Sequence, residues 1–183
     1  MVAIGIVMIC IGGSMYQIRY APKRLTISSY KPTQKISSLK ISTITEKKSP
    51  QYIEIPDIGV RLPIIPSEIK NGTWETTSKG VSYLTSSPIP GNTGNSILYG
   101  HNWTNLLGSL TRVKPGTQII ITYADGSKNN FTVEYTGTVK PDQIGILNQT
   151  NDVRITIYTC TGFLDSQRFI AVAFPSERHL TKE

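Results

Sequence analysis

The chain has 183 residues, enough for one domain with a real core and short for two. Hydrophobic residues at 38% and charged residues at 17% are ordinary for a globular protein and exclude a collagen or a disulfide scaffold. The net charge of +7 is confined to Arg19–Lys48, where eight Lys/Arg meet only Glu46; from Ser49 onward the charges cancel, so the folded part has no field to attract nucleic acid.

The run from Val2 to Ile18 contains no charged side chain. It lies at the short end of the roughly 17–25 residues that span a bilayer. No basic n-region or small-residue cleavage site marks it as a removable signal, so residues 1–20 read as an uncleaved membrane anchor. The absence of a basic residue before the run suggests that a longer segment precedes it. The charges that follow would by themselves favour a cytoplasmic C-terminal side, against a surface location.

Residues 21–50 are rich in Ser, Thr and Lys and read as a basic linker suited to anionic lipid or wall polymer. Ile36, Leu39, Ile41 and Ile44 offer it a few apolar contacts. Residues 51–176 read as the folded domain and 177–183 as a polar tail.

Within the domain, turn signals at Pro56-Asp57-Ile58-Gly59, Pro90-Gly91-Asn92, Pro115-Gly116, Asp125-Gly126 and Pro141-Asp142 separate short apolar runs. Gln118–Tyr123 predicts a strand. Phe131, Val133 and Tyr135 alternate with polar residues, as on a half-buried strand. Two more strands are predicted over Arg154–Cys160 and Arg168–Phe174. Asn105–Arg112 and a turn around Asn71–Glu75 are the helical candidates. The fold class is therefore all-β with short helices, and the spacing suggests an antiparallel barrel or sandwich.

Cys10 lies in the apolar run and Cys160 in the domain, so Cys160 is a lone thiol, either structural or reactive. Strand alternation separates Ile155, Ile157 and Thr159 from Thr156, Tyr158 and Cys160. Cys160 thus leaves the isoleucine face and stands at a strand end, before Thr161-Gly162. A cysteine nucleophile needs an imidazole. His179 falls in the charged tail, which leaves His101, at the end of Ser96–Gly100, against the alternative of a structural histidine. Arg168 opens the next strand, and antiparallel pairing would return it to Cys160. There it either stabilises an oxyanion or forms a surface salt bridge with Asp165.

Leu98-Tyr99-Gly100-His101, Thr159-Cys160 and Arg168–Ala173 (RFIAVA) resemble the three signatures of the sortase family, in the same order. Ile53–Ile64 resembles the opening strands, and Leu110–Tyr123 the central hairpin. The resemblance implies a closed eight-stranded β-barrel and a cysteine transpeptidase that cleaves an LPxTG-like sorting signal. Cys160 would be the nucleophile, His101 the general acid and base, and Arg168 the oxyanion or substrate stabiliser. Thr159 and Trp103 would contact substrate. The acceptor would be a cell-wall or pilin amine and the location the outer face of the membrane. No cofactor is implied, and Glu134, Asp142 and Asp152 are too scattered for a metal. The stretch from Val139 to Asn151, where the family often places a specificity loop, is short and polar. A secreted β-barrel binding module and a plain cysteine hydrolase are the rival readings.

Overall fold

The computed structural model describes residues 48–176. The anchor over residues 1–20, most of the linker and the tail with His179 lie outside the described residues. Among the described residues, no helix is long and apolar enough to cross a membrane.

The described residues form ten strands: β1 (Pro50–Ile55), β2 (Val60–Ser67), β3 (Ile69–Lys70), β4 (Thr73–Trp74), β5 (Val81–Leu84), β6 (Gly94–Gly100), β7 (Gln118–Tyr123), β8 (Lys128–Val139), β9 (Val153–Thr161) and β10 (Gln167–Pro175). Eight of them close into a barrel in the order β1-β2-β5-β6-β9-β10-β8-β7, with β7 returning to β1. Closure leaves no open edge between these strands. The expectation of a closed eight-stranded barrel is met.

The antiparallel expectation holds for most neighbours and fails for two. β2 runs parallel to β5, and β6 parallel to β9. Parallel neighbours need a crossover, and here the chain between β6 and β9 supplies it as two 3-10 helices and the β7–β8 hairpin. Turn spacing reports where strands end, not which neighbours they take.

Alternation builds the core as expected on β9, where Ile155 and Ile157 are fully buried, and on β7 through Ile119 and Ile121. Each such side chain contributes roughly 1.5–3 kcal/mol on leaving water. On β8 the alternation breaks. Phe131 and Val133 are buried, but Tyr135 is 38% exposed. The pairing with β10 slips between Val172 and Ala173, so one step on β10 spans Val133 to Tyr135 on β8. A bulge of this kind moves the following side chain out of alternation.

The helical expectations need correction. Asn105–Arg112 becomes a 3-10 helix over Leu107–Arg112, held by the buried Leu107 and Leu110. Asn71–Glu75 is no helix: Asn71 (φ 52°) and Gly72 (φ 73°) turn the β3–β4 hairpin. This hairpin carries Trp74 onto the outside of the barrel, where it meets Tyr99 edge-on at 5.1 Å. Tyr158 stacks on Tyr99 at 5.5 Å. The face of β9 opposite the isoleucines is thus covered up to Tyr158.

The polar stretch before β9 holds a 3-10 helix over Ile144–Leu147. The buried Asn95 pins it. Its side-chain amide donates to the carbonyls of Ile146 and Asn148, and its oxygen accepts from Thr156 Oγ1 at 2.7 Å. Gln149 completes the clamp by bonding both the N–H and the carbonyl of Asn95.

Candidate active site

The site is assembled by register. β9 and β10 pair antiparallel with Cys160 opposite Arg168. β6 and β9 pair parallel with Gly100 opposite Thr159. His101 follows Gly100, as Cys160 follows Thr159, so the two leave neighbouring strands at the same level. Three residues separated by up to 67 positions thereby converge at one end of the barrel. All three are partly exposed.

Cys160 is free, and burial pushes its thiol up from its ordinary pKa. The Arg168 guanidinium opposes this shift and the Asp165 carboxylate adds to it. Burial disfavours the thiolate, while the facing cation restores part of it.

The His101 ring stacks on Trp103 at 4.4 Å, nearly coplanar at 8°. Its nitrogens bond to no side chain or backbone group among the described residues, unlike those of a satisfied structural histidine. Its backbone is fixed. The His101 carbonyl accepts from Leu107 N–H at 3.1 Å, and the Trp103 carbonyl accepts from Leu106 and Gly108 at 2.9 Å. The buried Leu106 and Leu107 therefore hold the histidine loop against the barrel.

Arg168 makes no salt bridge to Asp165. One guanidinium nitrogen donates instead to the carbonyls of Asp165 and Gln167, each at 2.8 Å. The Asp165 carboxylate accepts from Asn102 Nδ2 at 2.9 Å. The sequence offers Asp165 only as an ion-pair partner for Arg168, and it gives Asn102 no role. Asn102 and Asp165 lie 63 residues apart, and only the convergence of the two loops reveals the contact.

Trp103 is 48% exposed beside His101, open to a ligand on its free side. Thr159 does not fit the expected contact with substrate. It is buried, and its hydroxyl donates to the Gly100 carbonyl at 2.9 Å. Its position on the isoleucine face dictates this, and the bond ties the strand end of the thiol to that of the histidine. Among the described residues no His/Cys/Asp/Glu group is arranged to hold a metal ion.

The family model described as "Sortase domain" matches residues 53–176. Sortase A of Listeria monocytogenes is 29% identical over 136 residues, covering 72% of this chain and 59% of that protein. Sortase A of Bacillus anthracis is 24% identical over 135 residues, covering 72% and 61%. The chain thus spans about three fifths of the length of these curated relatives. Among solved structures, sortase A from Corynebacterium diphtheriae superposes with a TM-score of 0.60 at 29% identity, covering 71% of this chain and 61% of that one. Sortase C1 from Streptococcus agalactiae gives 0.59 at 25% identity, covering 68% and 66%.

Proposed function

The chain belongs to the sortase family, and from that membership we propose that it is a cysteine transpeptidase acting on LPxTG-like C-terminal sorting signals, with Cys160, His101 and Arg168 as its catalytic residues. The observation that carries this reading is the register that sets Arg168 opposite Cys160 and releases His101 at the same level.

The half-buried thiol rests protonated, so its proton must leave before it attacks. His101, with its ring nitrogens unbonded among the described residues, takes that proton. The Cys160 sulfur then attacks the Thr–Gly carbonyl carbon, and the carbonyl electron pair moves to oxygen. Arg168 faces this developing negative charge. Collapse of the intermediate expels the glycine amine, which receives the proton held on His101, and leaves a thioester on Cys160. An incoming amine gives a proton to His101 and attacks the thioester; the new amide forms, the C–S bond breaks, and the departing sulfur takes the proton back from His101.

Trp103 offers a flat apolar surface beside the histidine for the signal peptide. The amine comes from a cell-wall precursor or a pilin lysine. The apolar run from Val2 to Ile18 serves as a single-pass anchor, with the catalytic domain on the outer face of the membrane.

A peptide-library cleavage assay on residues 49–183, with and without an oligoglycine or diamino acid acceptor, tests the reading. Cleavage is expected, with a ligated product in the presence of the amine and a thioester adduct visible by mass spectrometry. Cys160→Ala is expected to abolish both. Cleavage with no ligated product would indicate a plain hydrolase. No adduct with any peptide would favour the binding-module reading.

A further inference from the structure

The loop of residues 162–166 joins the strand of the thiol to that of the arginine, and little holds it in place. Leu164 (φ 52°) and Asp165 (φ 57°) are consecutive non-glycine residues in the left-handed region. A Cβ makes that conformation unfavourable, and it persists only where surrounding contacts impose it. Burial does not impose it here: Phe163 is 85% exposed and Leu164 62%. The loop's own backbone bonds, Asp165 to Gly162 and Ser166 to Phe163, are long at 3.2 Å.

Asn102 supplies a hold from outside. It follows His101, on a loop anchored through Leu107 and Gly108, and its amide reaches Asp165 Oδ1 at 2.9 Å. The carbonyl of the same Asp165 accepts from Arg168 at 2.8 Å. One residue is thus gripped through its carboxylate from the histidine side and grips the arginine through its backbone. We infer that Asn102 and Asp165 form a latch between the two loops, and that these positioning residues fix where the Arg168 guanidinium stands relative to Cys160. The inference rests on the transpeptidase reading, since it assigns Arg168 work to do.

The test is a double-mutant cycle on the active domain. Asn102→Ala and Asp165→Ala each break the latch, and each is expected to lower kcat about tenfold with KM and the thermal midpoint little moved. The double variant should fall no further than either single, because one interaction is lost in all three. Asp165→Asn keeps an accepting oxygen and should recover most of what Asp165→Ala loses. Alkylation of Cys160 by iodoacetamide reads the latch without turnover. Asn102→Ala should slow it severalfold near neutral pH, as Arg168 ceases to face the thiol.

Effects that multiply in the double variant would overturn the latch. So would an Asp165→Asn variant as impaired as Asp165→Ala, which would leave only the carboxylate's charge. Unchanged kcat and alkylation in Asn102→Ala would also overturn it. If the unmutated domain cleaves no sorting peptide, the transpeptidase reading falls, and the alkylation rates alone decide whether the latch exists.

Discussion

Cys160 is held between opposing influences. Burial raises its pKa, Asp165 raises it further, and Arg168 lowers it. Removing Arg168 takes away the one favourable influence, so Arg168→Ala should shift the pH profile of Cys160 alkylation to higher pH and slow labelling near neutrality. Under the proposed transpeptidase role, the same change should lower kcat by roughly 10²–10³, the usual cost of losing one oxyanion donor. Arg168→Lys should recover only part, because one guanidinium nitrogen holds both carbonyls and leaves the other donors of the planar group free to face the thiol, which a compact ammonium cannot do. An alkylation profile unchanged by Arg168→Ala would mean that the guanidinium does not act on the thiol. Thr159 teaches the complementary lesson at this scale. It adjoins Cys160 in sequence, yet the strand turns it inward, where its hydroxyl braces Gly100.

At the scale of elements, the histidine loop depends on a close backbone approach. A Cβ on Gly108 would lie 2.6 Å from the Asn102 carbonyl oxygen and 2.8 Å from that of Trp103. Both are backbone atoms and cannot swing aside. Gly108→Ala should therefore push the loop that carries His101 away from the barrel. A loss in kcat of about tenfold or more is expected, with the fold retained, because the clash is with carbonyls of the loop itself and not with a barrel strand. Steady-state kinetics beside a circular-dichroism melt would check this; full activity in Gly108→Ala would show that the loop adapts without consequence. By contrast, the Asn95–Gln149 clamp secures the other loop, before β9, by side-chain hydrogen bonds.

For the barrel as a whole, three buried tyrosines set an alkaline limit. Tyr83, Tyr99 and Tyr123 are at most 6% exposed, and burial pushes each from 10.0 up to about 12. Their hydroxyls donate to the carbonyls of Ser87, Glu75 and Pro90. A folded-state pKa above the unfolded one means that the native state holds its protons longer. The stabilisation is complete below pH 10 and is lost as pH rises through about 12. At about 1.4 kcal/mol per pKa unit, three such groups amount to several kcal/mol, a large share of a typical domain's stability. Denaturant titrations between pH 9 and 12 should show the midpoint falling steadily across this interval. A flat midpoint would mean that the phenols ionise without unfolding the barrel.

Much of this was written in local sequence. Short apolar runs between turn signals placed the strands of Ile119, Ile155 and Ile157, and period-two alternation turned Cys160 off the isoleucine face, because side-chain direction on a strand follows from residue parity. Motif order marked His101, Cys160 and Arg168 as a set. Parity failed at Tyr135, where a bulge inserts an extra residue, and the short helical candidate around Asn71–Glu75 is instead the turn of a hairpin made by two left-handed residues. The parallel pairing of β6 with β9, the stacking of Trp103 on His101 and the bond from Asn102 to Asp165 were decided only by the closed barrel. These contacts depend on which strands become neighbours and in what register, and that is fixed by how the whole sheet closes around one core.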